Sequence, residues 1–179
     1  DVIGGSKSGL KLGLVVAILA LAVDQASKLW VLENLSEPFK RIVLLPVFEL
    51  VLVWNRGVSF GLFNQHGDIG RWVLSALSVV ITVAMLVWLR RVDRPLVAIS
   101  LGLVIGGAIG NVVDRLKFGA VVDFLHAHWM EHSFPVFNIA DAAISIGVAL
   151  LLIDSTFGQR HTASMGQGSE GRGGASGSH

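Results

Sequence analysis

The sequence contains no cysteine, which excludes disulfides, thiolate nucleophiles and Cys-ligated zinc. Charge is scarce too: Asp, Glu, Lys and Arg make up 15% of the 179 residues, and the formal net charge is +1. No run of Lys and Arg forms an electrostatic footprint, so nucleic acid is not expected as a partner. The absence of a convincing internal repeat weakens the case for an inverted-repeat transporter. What is abundant is apolar side chain, at 53% of residues with a mean hydropathy of +0.67, and that balance does not fit an ordinary soluble domain.

A hydrocarbon core of about 30 Å needs roughly 20 apolar residues of helix. Four stretches approach that length, at about 12–32, 72–89, 95–113 and 137–153, and the second carries no charge. The expected fold is therefore mostly α, a polytopic membrane protein with four transmembrane helices. A cleavable signal peptide is the other reading of the first stretch, but Asp24, Gln25, Ser27 and Lys28 follow its apolar part where small residues would mark a cleavage site. Gly102, Gly106 and Gly110 recur every fourth residue on one face of the third stretch, with Gly107 and Ala108 beside them, which reads as close helix packing.

The segment 33–68 is too long for a plain connector. Phe48, Leu50, Leu52 and Trp54 alternate there with Glu49, Val51, Val53 and Asn55, so a small extramembrane β region is expected at about 40–65. Residues 1–9 are read as a processing remnant, 10–157 as one membrane domain, and 158–179, rich in Gly and Ser, as a disordered tail. The compact basic turn at 90–94 favours a cytoplasmic location for itself and both termini. The overall charge count does not decide it, since the 14 Lys and Arg fall seven to each side.

Ionisable groups in membrane helices cost about 2.5 to 3.5 kcal/mol each on insertion scales and call for a reason. Asp24 and Lys28 are four apart on one helix face and read as a structural pair that scaffolds a site. Asn111 and Arg115 are likewise one turn apart, with Asp114 beside them as a partner for Arg115 or Lys117. Asp123 sits among Val121, Val122, Phe124 and Leu125, company that favours its acid form. Asn138 and Asp141, three apart at the start of the fourth helix, share a face; Asn138 suits an N-cap, whereas Asp141 reads as too deep for one. If the third and fourth helices are antiparallel neighbours, Asp123 and Asp141 reach the same membrane face and can share a proton. One acid and one base suit activating water and protonating a leaving amine, although proton-coupled transporters also keep acids in their helices.

Taken in order, Asp24 with Lys28, Asn55–Gly57, Ser59 to Gly61, Asn111 with Asp114 and Arg115, Val122 with Asp123, and Phe137, Asn138, Ala140 and Asp141 resemble the motifs of the lipoprotein signal peptidases, also called signal peptidase II. The resemblance spans residues 12–153. It implies four transmembrane helices with an extracytoplasmic β-cradle and a short interfacial helix before the second span. It further implies an aspartic endopeptidase of the bacterial inner membrane. A monomer without a metal or other cofactor is expected. Its substrates would be diacylglyceryl-modified prolipoproteins met at the membrane lipid, cleaved before the lipidated cysteine by a site near the outer face. Position by position, Asp123 and Asp141 match the catalytic pair, and Asn55, Gly57, Asn111, Arg115, Asn138 and Ala140 match residues that line or support the site. The stretch 127–133 matches no motif, and no role is carried over to Arg56.

Four other readings stand beside this one. His126, His128 and His132 near Glu131 have ligand types suited to zinc, though beside Trp129 they read as interfacial residues. Ser59 with Lys28 or Lys40 is a second hydrolytic option. A small transporter, or a subunit whose polar groups only bind helices together, belongs to a different class; the gathering of acids and amides at one face favours chemistry there.

Overall fold

The structure, a computed structural model, describes residues 4–37, 40–57 and 69–166. Four helices dominate: α1 (Gly4–Asn34), α2 (Ile69–Leu89), α3 (Pro95–Phe118) and α4 (Ile139–Gly166). Each contains a segment long and apolar enough to cross a membrane. Four strands accompany them: β1 (Arg41–Leu45), β2 (Phe48–Asn55), β3 (Val121–Trp129) and β4 (His132–Ser133).

The central helix is α3, with α1, α2 and α4 packed around it. Most of α3 is buried, whereas α2 turns Trp72, Val73, Leu77, Val80, Val83 and Val87 outward, as a helix facing lipid would. The glycines of α3 explain its position. A Cβ on Gly106 would collide with the carbonyl of Ala17 in α1, and one on its neighbour Gly107 would lie 2.5 Å from the carbonyl of Ala140 in α4. Successive glycines thus admit two helix backbones on opposite sides of α3.

Helix ends depart from the expected spans for physical reasons. α3 continues through Asp114 and Arg115 to Phe118 because Asp114 is partnered inside the fold, and it stops where Gly119 takes a left-handed φ of 74° and returns its N–H to the Arg115 carbonyl. α4 begins at Ile139 instead of 137, because Phe137 is engaged with β3 through reciprocal backbone bonds with Leu125 of 2.8 and 3.0 Å. Both outer helices overrun the expected domain limits: α1 starts at Gly4, inside the segment set aside as a remnant, and α4 reaches Gly166, past residue 157. Extending an existing helix costs far less than nucleating one, and no proline interrupts either stretch. Residues 167–179 and the expected interfacial helix before α2, with Ser59 to Gly61, lie outside the described residues.

The sheet is antiparallel in the order β1-β2-β3-β4, so half of it comes from the chain after α3 and not from the 40–65 region. Stretch 127–133, which matched no motif, is the end of β3 and its return into β4. In the β2–β3 register Val53 lies opposite Asp123 and Asn55 opposite Val121. With β3 fixed by β2 on one edge and by Phe137 on the other, Asp123 is carried to the first turn of α4.

Candidate active site

Two layers of polar side chains meet where α1, α3, β3 and α4 converge. The inner layer is an ion cluster in which Lys28 Nζ lies 2.8 Å from Asp24 and 2.7 Å from Asp114, all three side chains being almost completely buried. Gln25 donates to Asp114 at 3.0 Å and Asp114 accepts the Val122 N–H at 3.1 Å, which ties β3 to α3. Asp24 also accepts the backbone N–H of Ala140 at 2.8 Å, so a carboxylate from α1 meets the positive end of α4.

The outer layer consists of three asparagines and two aspartates. Asn55 and Asn138 donate to the two oxygens of Asp123 at 2.9 and 2.7 Å, and Asn111 donates to Asp141 at 2.9 Å. The orientation of each amide follows from what meets its oxygen. The Asn55 oxygen accepts the Gly57 N–H, the Asn138 oxygen accepts the Asp141 N–H, both at 2.8 Å, and the Asn111 oxygen faces Lys28 at 3.3 Å. Lys and backbone N–H can only donate, so each amide must present its NH2 to a carboxylate. Asn138 and Asp141 form a reciprocal cap, with the Asn138 N–H reaching Asp141 at 3.3 Å. Because α4 starts at Ile139, Asp141 is its third residue and does take part in capping, contrary to its expected depth.

The sequence candidates therefore fall into one neighbourhood. Arg115 is half-buried, donates to the Asn111 carbonyl at 3.5 Å, and lies within the electrostatic reach of Asp141, Asp114 and Asp123. Gly57 adopts a φ of 76°, a conformation that favours glycine, and its N–H is the donor that aims Asn55. Asp123 opens onto a cavity of about 400 Å³, lined also by Val53, Trp54, Asn55, Arg56, Pro135 and Val136.

Asp123 lies on β3, outside the spans. Burial pushes its carboxyl from 3.8 up to about 6; the Asn55 and Asn138 hydrogen bonds oppose that rise and the Asp141 charge adds to it. The folded state then holds a proton that the unfolded chain releases at lower pH, so this contribution to stability is present below 3.8 and lost as pH rises through about 6. The wild-type melting temperature, measured in detergent, should fall across that window relative to Asp123→Asn. Parallel curves would show that Asp123 titrates normally.

The histidines serve the cradle. His126 touches Glu49 at 2.9 Å with Nδ1 and Ser133 at 2.7 Å with Nε2, linking three strands, and it holds the Glu49 carboxyl below its ordinary range. Lys28 is enclosed by carboxylates, and Lys40 lies 3.8 Å from Glu37 on the surface.

This arrangement of helices, sheet and amide-held carboxylates can be compared with known proteins. The family profile of signal peptidase (SPase) II matches residues 16–157. The chain belongs to the signal peptidase II family. Among curated relatives, the lipoprotein signal peptidase of Methylorubrum extorquens (strain PA1) is 48% identical over 147 residues, covering 80% of this chain and 84% of that one. That of Rhodopseudomonas palustris (strain ATCC BAA-98 / CGA009) is 47% identical over 154 residues, covering 83% and 94%. A bacterial membrane enzyme structure determined by the in meso method at 1.9 Å shares the fold, with a TM-score of 0.70 at 24% identity over 79% of this chain and 90% of that one. A second, at 2.3 Å, gives 0.67 at 21% identity over 92% and 94%.

Membership of the signal peptidase II family makes the chain a multi-pass membrane peptidase. Several of the residues that shape its site carry no motif signal. Gln25, which in the sequence only argues against a signal peptide, bridges Asp24 and Asp114 at 3.2 and 3.0 Å. Trp54, Arg56, Pro135 and Val136 line the cavity; the proline ahead of the fourth span was the available signal for a turn there.

Proposed function

We propose that this protein is an aspartic endopeptidase of the bacterial inner membrane that removes the signal peptide from diacylglyceryl-modified prolipoproteins, cutting before the lipidated cysteine. The observation that carries the reading is the pair Asp123 and Asp141, held from either side by Asn138 and each braced by a further neutral amide. Neutral donors position carboxylates without the strong downward pull a bonded cation exerts on their protonation, which leaves one free to keep its proton. In this reading Asp123, whose burial favours the acid form, begins as the general acid and Asp141 as the base. Asp141 takes a proton from water as the water oxygen attacks the scissile carbonyl. The tetrahedral intermediate collapses as Asp123 protonates the leaving nitrogen, giving an amine on the lipidated cysteine and a carboxylic acid on the signal peptide, which ionises by releasing its proton to water, and Asp141 returns its proton to Asp123.

The surroundings favour a lipid-borne substrate. Apolar side chains such as Val15, Ile18, Leu19 and Val23 of α1 and Ile146 and Leu152 of α4 face outward beneath the site, so a signal helix reaches it sideways through the bilayer. The site stands toward the Phe118 end of α3 and the basic turn at the Pro95 end of this helix, which is about 36 Å long at 1.5 Å per residue. With the basic turn and both termini cytoplasmic, the site faces outward, where exported prolipoproteins wait.

Purified protein in detergent should convert a diacylglyceryl-modified prolipoprotein to a product whose mass and new N-terminus place the cut before the lipidated cysteine. It should leave the unmodified precursor intact. Equal cleavage of both, or a cut elsewhere, would overturn the substrate assignment.

A further inference from the structure

Arg56 carries no motif role, yet among the described residues it and Asp123 are the charged ones lining the 400 Å³ cavity. Its placement is set by its neighbours. Asn55 accepts the Gly57 N–H across it and donates to Asp123, so one amide fixes both the carboxyl and the turn that carries the guanidinium. Gly57, at a φ of 76°, completes that turn. Among the described residues no carboxylate forms an ion pair with Arg56. The nearby Arg115 is absent from the cavity lining and already donates to the Asn111 carbonyl.

Resting on the endopeptidase reading, the chemistry of the reaction supplies what this cation lacks. Water adds its oxygen to the scissile carbonyl carbon, the C–N bond breaks, the nitrogen leaves protonated, and the acyl half becomes a carboxylate. That anion is formed beside Asp123, which has just given up its proton, where uncompensated charge would repel it. We propose that Arg56 binds the new C-terminal carboxylate of the released signal peptide and makes the cavity selective for that product. A guanidinium suits the task because its planar fork meets a carboxylate with two parallel N–H donors.

The test uses the full protein in detergent, its cleavage of lipidated prolipoprotein, and two synthetic peptides matching the last residues of the signal peptide. One peptide ends in a free acid and the other in an amide. Wild type should be inhibited about tenfold more strongly by the acid, the scale of a charge-assisted hydrogen bond. Arg56→Gln should reduce that preference to near unity and Arg56→Lys should retain part of it. Raising salt from about 0.05 M to about 0.5 M should weaken the wild-type preference, which tests the charge without any variant. Equal inhibition of wild type by both peptides, a salt-insensitive preference, or an undiminished preference in an active Arg56→Gln protein would overturn the assignment. Wild type that cleaves nothing would instead overturn the endopeptidase reading on which it rests.

Discussion

Asp123→Asn and Asp141→Asn are each expected to lower kcat by about 10²- to 10⁴-fold, the range for removing a positioned general acid or base. The double variant should be little worse than either single one, because the two groups act in one proton relay and their losses do not add. Substitution by Asn keeps the shape but not the hydrogen bonding. Asp123 accepts from Asn55 on one oxygen and from Asn138 on the other, so an amide there must turn its NH2 toward one of those donors. Asp141 has the same problem between Asn111 and the Asn138 N–H. Each variant therefore needs a melting curve beside its rate. Cleavage within tenfold of wild type by a folded variant would remove that residue from the mechanism, and activity in both would remove the aspartic mechanism itself.

How the site could be read from sequence follows from the range over which each feature is encoded. Spans are local, so hydropathy located α2 and the body of α1 and α3, and the one-turn spacing of Asp24 and Lys28 revealed their pairing. The end of α3 was misjudged because Asp114 looks like a polar boundary until its partner, Lys28 on α1, is known. Strand β3 escaped notice for the same reason: Val53 pairs with Asp123 across a long sequence separation, and the stretch 121–129 lacks clean alternation because its first four residues are buried on both faces. The start of α4 was two residues off because the backbone of Phe137 belongs to the sheet. Residue types at the site were legible, but amide orientations were not. They depend on donors from Lys28, Gly57 and Asp141, which only the assembled fold brings to the asparagine oxygens.

Lys28→Met is expected to be the most destabilising substitution among the buried polar groups, by about 3 to 5 kcal/mol, the range for stripping one partner from a buried ion pair. Methionine fills similar space, so the loss is electrostatic: Asp24 and Asp114 are left facing one another with a neutral Gln25 between them. Asp24→Asn should cost much less. An asparagine oxygen can still accept the Ala140 N–H, and Lys28 keeps Asp114; the cost that remains is the new NH2 facing Lys28 and Gln25. Lys28 also fixes the Asn111 amide whose NH2 faces Asp141, so Lys28→Met protein rescued by low temperature should retain a kcat defect. Asp114→Asn, which keeps Lys28 and its 3.3 Å contact with Asn111, should not show that defect to the same degree. Thermal unfolding in detergent with parallel cleavage rates would separate the effects. Equal melting temperatures for Lys28→Met and Asp24→Asn would mean that the carboxylates find another route to neutrality, by taking up a proton or admitting water. A Lys28→Met protein with full kcat at low temperature would show that Asn111 keeps its orientation without the lysine.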